Sequence, residues 1–441
     1  MSAKYSLSLD IVFVSIVAAL SGFLFGYHIG IFTGALIFIA EQFQLTSFEQ
    51  GMLVSIILVG GLVGALFGGL LSDYLGRKRT LFLTVLLILI ATFFLYDAKD
   101  YRIIMFGRLI TGLAIGIGSV TAPLYLAEIA PKAHRGSLVS LNQLMIVTGI
   151  LVSFWVSYML AADGDWRILF TIGLIPAALQ LIGLFFIPES PDWLMGQGRK
   201  ADAEKSLRRL EMDASFLETK RKQDLPTKKR LAALLDPSVR SALIVGIGIS
   251  VLQQITGINT VFFYAPHIFK LAGFTSAKAA IYATTWVGII NVFMTVVGLW
   301  LIDRIGRRPL LLISLSGMAL SLALLGSAFI FSAHGGALAI VSLMVYIASF
   351  AVGMGMIPWL MISEIFPLGI RGRAMGISIF SNWTANYLIA LTFLPLIHAL
   401  GIGQTYWLFM IICMAGIWFS WKKVPETRGK TFEEIQKFWH K

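Results

Sequence analysis

The sequence predicts an all-α membrane protein of twelve transmembrane helices in two pseudo-symmetric six-helix bundles, with short amphipathic helices on the cytoplasmic side. Composition is the first support, since 57% of the 441 residues are hydrophobic and only 13% are charged, whereas soluble domains are about a quarter charged. Apolar runs of membrane-spanning length recur along the whole chain, which favours helices over a barrel. Two short motifs at the ends of these runs occur once in each half of the chain.

Each apolar run predicts one helix. The first run is too long for the apolar region of a signal peptide, so it is interpreted as a retained span. The single cysteine, Cys413, lies inside the last run and is interpreted as a small buried side chain. The twelve runs lie at about 9–40, 50–72, 80–96, 102–129, 137–161, 166–187, 239–269, 279–302, 309–333, 337–365, 374–397 and 404–421.

The positions of the basic residues explain the net charge of +12. Of the 35 Lys and Arg residues, 29 belong to the N-terminus, the C-terminal tail or every second connection between runs. The positive-inside rule places these segments and both termini in the cytoplasm. A nucleic-acid partner is therefore not expected. Because no targeting segment is recognised, a plasma membrane or bacterial inner membrane is predicted.

The longest polar segment follows the sixth run and divides the chain. Within it, Leu207 and Leu210 alternate with charges and predict an amphipathic helix over Ala203 to Met212. Thr431 and Glu434 have the spacing of a capping box, which favours a short C-terminal helix. The predicted organisation is an N-terminal six-helix bundle at 1–187, a cytoplasmic linker with short helices at 188–238, a C-terminal six-helix bundle at 239–424 and a cytoplasmic helix at 425–441.

The two halves share two motifs. The first, D-x-x-G-R, follows the second and eighth runs, and the other, E-x₆-R-G, closes the fourth and tenth runs. Recurrence at equivalent places indicates duplication of a six-helix unit. A carboxylate at the end of a span needs a partner, so the acids are expected to pair with arginines at the cytoplasmic face. The motif residues are Asp73, Gly76, Arg77, Glu128 and Arg135 in the first half and Asp303, Gly306, Arg307, Glu364 and Arg371 in the second.

Seven residues in the seventh run, from Gln253 to Asn259, are unusually polar for a membrane span. A primary amide in hydrocarbon is costly unless it is hydrogen-bonded. On a regular helix Gln253 and Asn259 would point about 120° apart, and Gly257 is where the helix can bend to bring them together. Two interpretations are open: a binding site for a polar ligand, or hydrogen bonding to neighbouring helices.

In their order and spacing these motifs closely resemble those of the sugar porters of the major facilitator superfamily, a group of glucose facilitators and sugar–proton symporters. The resemblance extends from Phe25 in FGYHIG to Gly429 in PETRG and includes GRLITG, PESP and QQITGIN. It implies a membrane transporter of monosaccharides, hexoses or pentoses, in which one central site alternates between the two sides of the membrane. A related transporter for a different small solute is the alternative.

The resemblance also implies roles for individual residues. Amides suit sugar hydroxyls because they both donate and accept hydrogen bonds, and an indole offers a flat apolar face. Gly353, Gly355 and Pro358 are expected to bend a span near the sugar. The implied sugar contacts are Gln143, Gln253, Gln254, Asn259, Asn291, Trp359, Asn382 and Trp383. The implied cytoplasmic charge network is Asp73, Arg77, Glu128, Arg135, Glu189, Asp303, Arg307, Glu364, Arg371 and Glu426.

Two positions depart from the pattern of the sugar porters. Asp192 stands where the family usually has arginine, which leaves one ion pair of the network in doubt. His28 stands where proton-coupled members usually carry aspartate, facing the arginine that corresponds to Arg108, so both are assigned to coupling or gating. Histidine titrates near neutral pH, but a buried imidazolium beside Arg108 is unfavourable. Uniport with a neutral His28 is therefore favoured, and proton–sugar symport through His28 or elsewhere is the alternative.

No pattern in the sequence indicates catalysis. HExxH, G-x-S-x-G and paired acids inside the spans are all missing from the sequence, so we do not expect an enzyme, a metal site or a cofactor. The expected partners are a monosaccharide, the lipid bilayer and, for symport, a proton. The protein is expected to be a monomer.

Overall fold

The computed structural model describes residues 8–131, 134–160, 164–212, 237–274, 276–331, 336–366, 371–430, 434–435 and 438. Within these residues the regular secondary structure is helical. Twelve of the described helical segments are long and apolar enough to cross a membrane, which confirms the twelve predicted spans.

The described residues form seventeen α-helices. They are α1 (Leu9–Gln42), α2 (Ser47–Leu75), α3 (Arg77–Tyr96), α4 (Tyr101–Ile129), α5 (Arg135–Leu160), α6 (Trp166–Ile172), α7 (Leu174–Phe186), α8 (Pro191–Gly196), α9 (Lys200–Arg209), α10 (Pro237–Ile255), α11 (Ile258–Leu271), α12 (Ala277–Ile305), α13 (Arg307–Phe331), α14 (Gly336–Ser349), α15 (Ile357–Glu364), α16 (Arg371–Leu400) and α17 (Ile402–Lys423). Side-chain caps set some of the starts: the carboxylate of Asp100 accepts the N–H of Ile103 at 2.9 Å, and α4 begins at the next residue, Tyr101.

The seventh span is broken at the predicted glycine. Helix α10 ends at Ile255 and α11 begins at Ile258, and between them Gly257 has a φ of 91°. This left-handed conformation is favourable only for glycine. The ring of Phe409 also lies 2.5 Å from where a Cβ of residue 257 would stand, so a larger residue would collide with it. The predicted bend at Gly257 is therefore confirmed.

The tenth span contains a second interruption. Residues Phe350–Met354 form a π-helical segment between α14 and α15, with the N–H of Gly355 bonded to the carbonyl of Phe350 at 2.8 Å. Such segments are rare and often lie at functional sites. The hydroxyl of Ser314 on α13 accepts the N–H of Met354 at 2.9 Å and donates to the carbonyl of Ser349 at 2.7 Å. The predicted irregularity near Gly353, Gly355 and Pro358 is present, and a neighbouring helix satisfies its backbone groups.

The contacts divide the chain into two compact units. The first unit comprises Met1–His28, Val59–Ile150 and Arg167–Asp224. Its core contains Val17, Leu81, Ala114 and Leu184, from α1, α3, α4 and α7. Glycines allow α2 and α4 to approach closely, as small residues do between membrane helices. At Gly116 an added Cβ would lie 2.2 Å from the carbonyl oxygen of Gly61.

The second unit comprises Ile29–Leu58, Leu151–Trp166 and Leu225–Lys441. It therefore includes the C-terminal part of α1, where Thr33 donates to the carbonyl of Phe262 on α11 at 2.5 Å. It also includes the start of α2, where Ser47 and His398 share a hydrogen bond of 2.8 Å. The division of the chain into halves at 1–187 and 239–424 remains a prediction.

The polar segment after the sixth span begins with two short helices, α8 and α9. Ala203, Leu207 and Leu210 are buried in the amphipathic stretch predicted there, and α9 begins three residues before Ala203. The placement of these helices at the cytoplasmic face remains a prediction. Most of the predicted C-terminal helix at 425–441 lies outside the described residues.

Candidate functional site

The break at Gly257 lies beside a cluster of buried amides. Gln253, on the last turn of α10, donates to the carbonyls of Met354 and Gly355 at 2.8 and 3.2 Å. These carbonyls belong to the interruption in the tenth span. The side chain of Gln253 therefore ties one interrupted span to the other, which is the interhelical role considered for this motif.

The same cluster extends to α16. The amide nitrogen of Gln254 donates to Asn382 Oδ1 at 3.0 Å and to Gln253 Oε1 at 3.2 Å. Asn382 donates in turn to the carbonyl of Ser250 at 2.8 Å and to Gln253 Oε1 at 2.9 Å. Past the break, Asn259 donates to Gln254 Oε1 at 2.5 Å. These hydrogen bonds join four of the eight predicted contact residues: Gln253, Gln254, Asn259 and Asn382.

The cluster can both hold the fold and bind a neutral polar ligand. Both N–H groups of Gln253 and both of Asn382 are used inside the protein. Asn259 is only partly buried, and among the described residues the bond to Gln254 is the side-chain hydrogen bond found for it. Its carbonyl oxygen and second N–H are thus available to a hydroxyl. Gln254 holds Asn259 in place, because the bond between them fixes the orientation of both amides.

The other predicted contact residues lie on several helices. Asn291 on α12 and Trp383 on α16 are buried in the second unit. Trp359 is partly buried on α15 of the same unit, and Gln143 is partly buried on α5 in the first unit. Their roles in binding remain predictions.

Asn386 is not among the contact residues predicted from the sequence. It lies one turn after Asn382 on α16 and is 6% exposed. Its Oδ1 atom has no hydrogen-bond partner among the described residues. A buried amide oxygen without a partner is costly, so this side chain is a further candidate to contact a ligand. The available signal was the four-residue spacing from Asn382, which places both amides on one face of the helix.

His28 and Arg108 are both buried in the first unit, at 1% and 2% exposure. The ring of His28 lies against Tyr27 with 5.9 Å between centroids, edge to face. Neither ring nitrogen of His28 has a hydrogen-bond partner in the part of the chain that the structure describes. Arg108 is close enough to act on His28 electrostatically. The imidazole is therefore positioned to bind a water, a proton or a ligand hydroxyl.

In the first half the predicted charge network is compact. Arg77 binds Glu128 through two nitrogens, Nε at 2.9 Å and Nη2 at 2.8 Å, and also contacts Asp73 at 3.2 Å. Both members of the main pair are buried, with Arg77 6% and Glu128 8% exposed. Such a two-point pair is the strong form of the arginine–carboxylate interaction.

The second half repeats the main pair of this network. Arg307 contacts Glu364 through one nitrogen at 3.2 Å, and its side chain is more exposed than that of Arg77. Glu128 also accepts the hydroxyl of Ser190 at 2.6 Å, and Glu364 accepts that of Thr427 at 2.5 Å. Neither hydroxyl was predicted from the sequence. The available signal was that PES at 188–190 and PET at 425–427 occupy equivalent places in the two halves.

Two further acids cap helices. Glu189 accepts the N–H groups of Arg77 and Lys78 at the start of α3, at 2.9 and 3.2 Å. Glu426 accepts those of Arg307 and Arg308 at the start of α13, both at 3.0 Å. A carboxylate is favourable at a helix N-terminus.

Opposing effects act on the Glu426 carboxyl. Burial raises its pKa, but backbone N–H groups of Arg428, Arg307, Arg308 and Thr427 outweigh burial and leave the pKa below its ordinary value. Glu426 is therefore a permanent negative charge at neutral pH.

Glycine is required where these acids approach the backbone. Gly76 and Gly306 have φ values of 94° and 105°. A Cβ at Gly76 would lie 2.4 Å from Glu189 Oε2, and one at Gly306 would lie 2.7 Å from Glu426 Oε2. The repeated D-x-x-G-R motif thus has two functions. Its glycine forms a turn that leaves room for one carboxylate, and its arginine pairs with another.

Some members of the predicted network cannot be placed. The side chains of Arg135, Arg371 and Asp303 lie outside the described residues. Asp192 lies in the first turn of α8, directly after Pro191. The ion pairs expected of Arg135, Arg371 and Asp303 remain predictions.

Twelve spans, two of them interrupted and joined by buried amides, and a duplicated charge network define a membrane transporter with the major facilitator fold. Residues 14–439 match the family described as "Sugar (and other) transporter". The chain belongs to this sugar transporter family, so the predicted resemblance is confirmed.

Several relatives cover almost the whole chain. The chain is 39% identical to the galactose–proton symporter of Escherichia coli K12 over 437 residues, 96% of this chain and 93% of the relative. It is 37% identical to the D-xylose transporter of Levilactobacillus brevis, over 96% of this chain and 94% of the relative. Among solved structures, the partially occluded inward-open xylose transporter XylE of E. coli matches with a TM-score of 0.83 and 32% identity, covering 96% of this chain and all of that one.

Proposed function

We propose that this protein transports a monosaccharide across the membrane by alternating access and moves a proton with it. The observation that carries the sugar part is the cluster of Gln253, Gln254, Asn259 and Asn382, which joins the interrupted seventh span to the tenth span and to α16. Neutral amides with both donors and acceptors suit a ligand made of hydroxyl groups. Relatives named as transporters of galactose, xylose and arabinose support a hexose or a pentose, and one relative is named as a myo-inositol transporter.

Counterflow tests the substrate class. Liposomes that contain the purified protein and unlabelled sugar are expected to accumulate labelled galactose or xylose, and an unrelated small solute should not accumulate. Failure to exchange any monosaccharide would contradict the proposal and favour the alternative of a different small solute. Empty liposomes provide the control.

Proton coupling is supported by relatives and solved structures that are named as galactose–, arabinose– and xylose–proton symporters. We infer that His28 carries the proton, since its imidazole is buried and neither nitrogen has a hydrogen-bond partner among the described residues. Uniport, favoured by the sequence, is the second candidate. Its support is that the middle of the spans contains no aspartate or glutamate, and that protonation of His28 adds a charge near Arg108.

His28→Asn separates these candidates. Asparagine keeps a hydrogen-bonding side chain but cannot titrate, so sugar exchange should be retained while sugar-driven proton movement is lost. The measurement is alkalinisation of a weakly buffered exterior after sugar is added to liposomes containing each protein. No alkalinisation with the unmodified protein would establish uniport. Alkalinisation that persists in His28→Asn would place the proton on another residue.

The proposed location is the bacterial inner membrane, with both termini in the cytoplasm. The twelve spans and the family support a multi-pass membrane protein, and the distribution of Lys and Arg supports this orientation. Labelling of a cysteine introduced near the C-terminus, from one side of the membrane at a time, tests the orientation. Labelling from the outside would contradict it.

A further inference from the structure

A surface of the second unit combines tryptophans with basic side chains. The guanidinium of Arg304 lies over the indole of Trp300 at 3.8 Å, and the amine of Lys422 lies over that of Trp421 at 5.6 Å. Both indoles are exposed, Trp300 by 56% and Trp421 by 59%. Trp300 lies near the end of α12 and Trp421 near the end of α17, so both pairs stand where a membrane span ends.

Hydrogen bonds join the two pairs into one surface. Arg308 Nη2 donates to the carbonyl of Trp421, and Arg428 Nη1 donates to the carbonyl of Arg304. The basic–tryptophan surface is defined here as Trp300, Arg304, Arg308, Trp421, Lys422 and Arg428. Its backbone is contributed by the end of α12, the start of α13, the end of α17 and the segment that follows it.

The surface is strongly positive. Besides Arg307, which is paired with Glu364, residues 300–308 and 418–430 contain six basic residues, Arg304, Arg308, Lys422, Lys423, Arg428 and Lys430, and two acidic ones, Asp303 and Glu426. Glu426 is bound by backbone N–H groups. A basic residue is favourable at a helix C-terminus. This effect does not explain why exposed indoles, those of Trp300 and Trp421, lie beneath Arg304 and Lys422.

The first half does not carry an equivalent surface. By alignment of Asp73 with Asp303, Leu70 corresponds to Trp300, Tyr74 to Arg304 and Lys78 to Arg308. The amine of Lys78 is bound to the carbonyl of Ile187 at 2.9 Å. The duplicated fold therefore does not require the tryptophans and cations seen in the second half.

We propose that the basic–tryptophan surface binds the headgroup of an anionic phospholipid in the leaflet that faces the side predicted to be cytoplasmic. Indoles are favourable at the depth of the headgroups, and basic residues near the membrane attract anionic lipids. A guanidinium can lie over an indole and still offer N–H groups for two-point binding of a phosphate. The inference does not depend on which solute is transported.

Native mass spectrometry of the detergent-purified full chain tests the proposal. Dioleoylphosphatidylglycerol is expected to remain bound at concentrations at least tenfold lower than those needed for dioleoylphosphatidylcholine. Arg304→Gln with Lys422→Gln should abolish this preference. Lys278→Gln is the matched control, because Lys278 also lies over an aromatic ring, that of Tyr158 at 5.8 Å, but at the start of α12. It should retain the preference.

Two further measurements complete the test. Trp300→Leu, which copies Leu70, should weaken phosphatidylglycerol binding by several-fold, and its folding is expected to be normal because Trp300 is exposed. If the double variant does not fold, the phosphatidylglycerol affinity of Trp300→Leu tests the proposal instead. Inorganic phosphate at millimolar concentration should not displace the lipid. Equal binding of the two lipids, unchanged binding in the folded variants, or displacement by phosphate would each overturn the proposal.

Discussion

Replacing Arg77 with methionine is expected to lower the free energy of unfolding by about 3–5 kcal/mol, because it leaves the Glu128 carboxylate buried without its partner. Glu128 is 8% exposed and accepts two hydrogen bonds from Arg77. The hydroxyl of Ser190 would remain as a donor to it, but a neutral hydroxyl does not replace a cation. The loss should appear as a lower midpoint of thermal unfolding in detergent.

The equivalent residue of the second half is the matched control. Arg307→Met removes a 3.2 Å hydrogen bond to Glu364, a carboxylate that is more exposed than Glu128, so its effect should be clearly smaller. The double variant Arg77→Met with Glu128→Leu should recover much of the lost stability, because no unpaired charge is then buried. Equal effects of the two arginine variants, or a double variant less stable than Arg77→Met, would show that the buried pair is not the cause.

Replacing Gln254 with alanine is expected to weaken monosaccharide binding by about 1–3 kcal/mol, the cost of a lost buried hydrogen bond. In dissociation constant this corresponds to roughly 5- to 150-fold. The physical reason has two parts. Gln254 supplies an amide to the cluster, and it orients Asn259, which reaches Gln254 Oε1 at 2.5 Å. The measurement is sugar binding to the purified protein by calorimetry or by quenching of tryptophan fluorescence.

Gln180→Ala is the control for this prediction. Gln180 is also a fully buried glutamine, but its amide joins α7 to α1 through Ser21 Oγ at 2.7 Å and the carbonyl of Val17 at 3.3 Å. Its loss should lower stability and leave sugar affinity unchanged. If Gln254→Ala lowered stability alone, as Gln180→Ala should, the QQITGIN segment would serve only to hold helices together.

The structure confirms interhelical hydrogen bonding in QQITGIN, and ligand binding by this segment stays a prediction. Gln253 donates its amide N–H groups to the carbonyls of Met354 and Gly355, so its role in the structure is to join two helices. Asn259 retains donor and acceptor capacity toward a ligand. The sequence could not separate these roles, because the partners of Gln253 lie about a hundred residues away in a segment whose π-helical turn has no recognised pattern.

The charge networks show a similar division. The repeated motifs predicted which acids and arginines belong together, and the pairs Arg77–Glu128 and Arg307–Glu364 are present. The role of Glu189 and Glu426 at the starts of α3 and α13 was not predicted. Their carboxylates reach helix N-termini more than a hundred residues away in sequence, across glycines that leave room for them.

By itself the sequence determined the twelve spans, the duplication, the break at Gly257 and the family. These are local or repeated properties: a membrane helix must satisfy its own backbone and expose apolar side chains, so its signal is continuous in sequence. Only the tertiary structure decided which amide bonds to which carbonyl, that Asn386 lies buried beside Asn382, and that Trp300 and Trp421 share one surface. Those arrangements depend on contacts between helices that are distant in sequence. A hydrogen bond forms only within a distance range of a few tenths of an ångström, and the spacing of residues along the chain does not determine such distances.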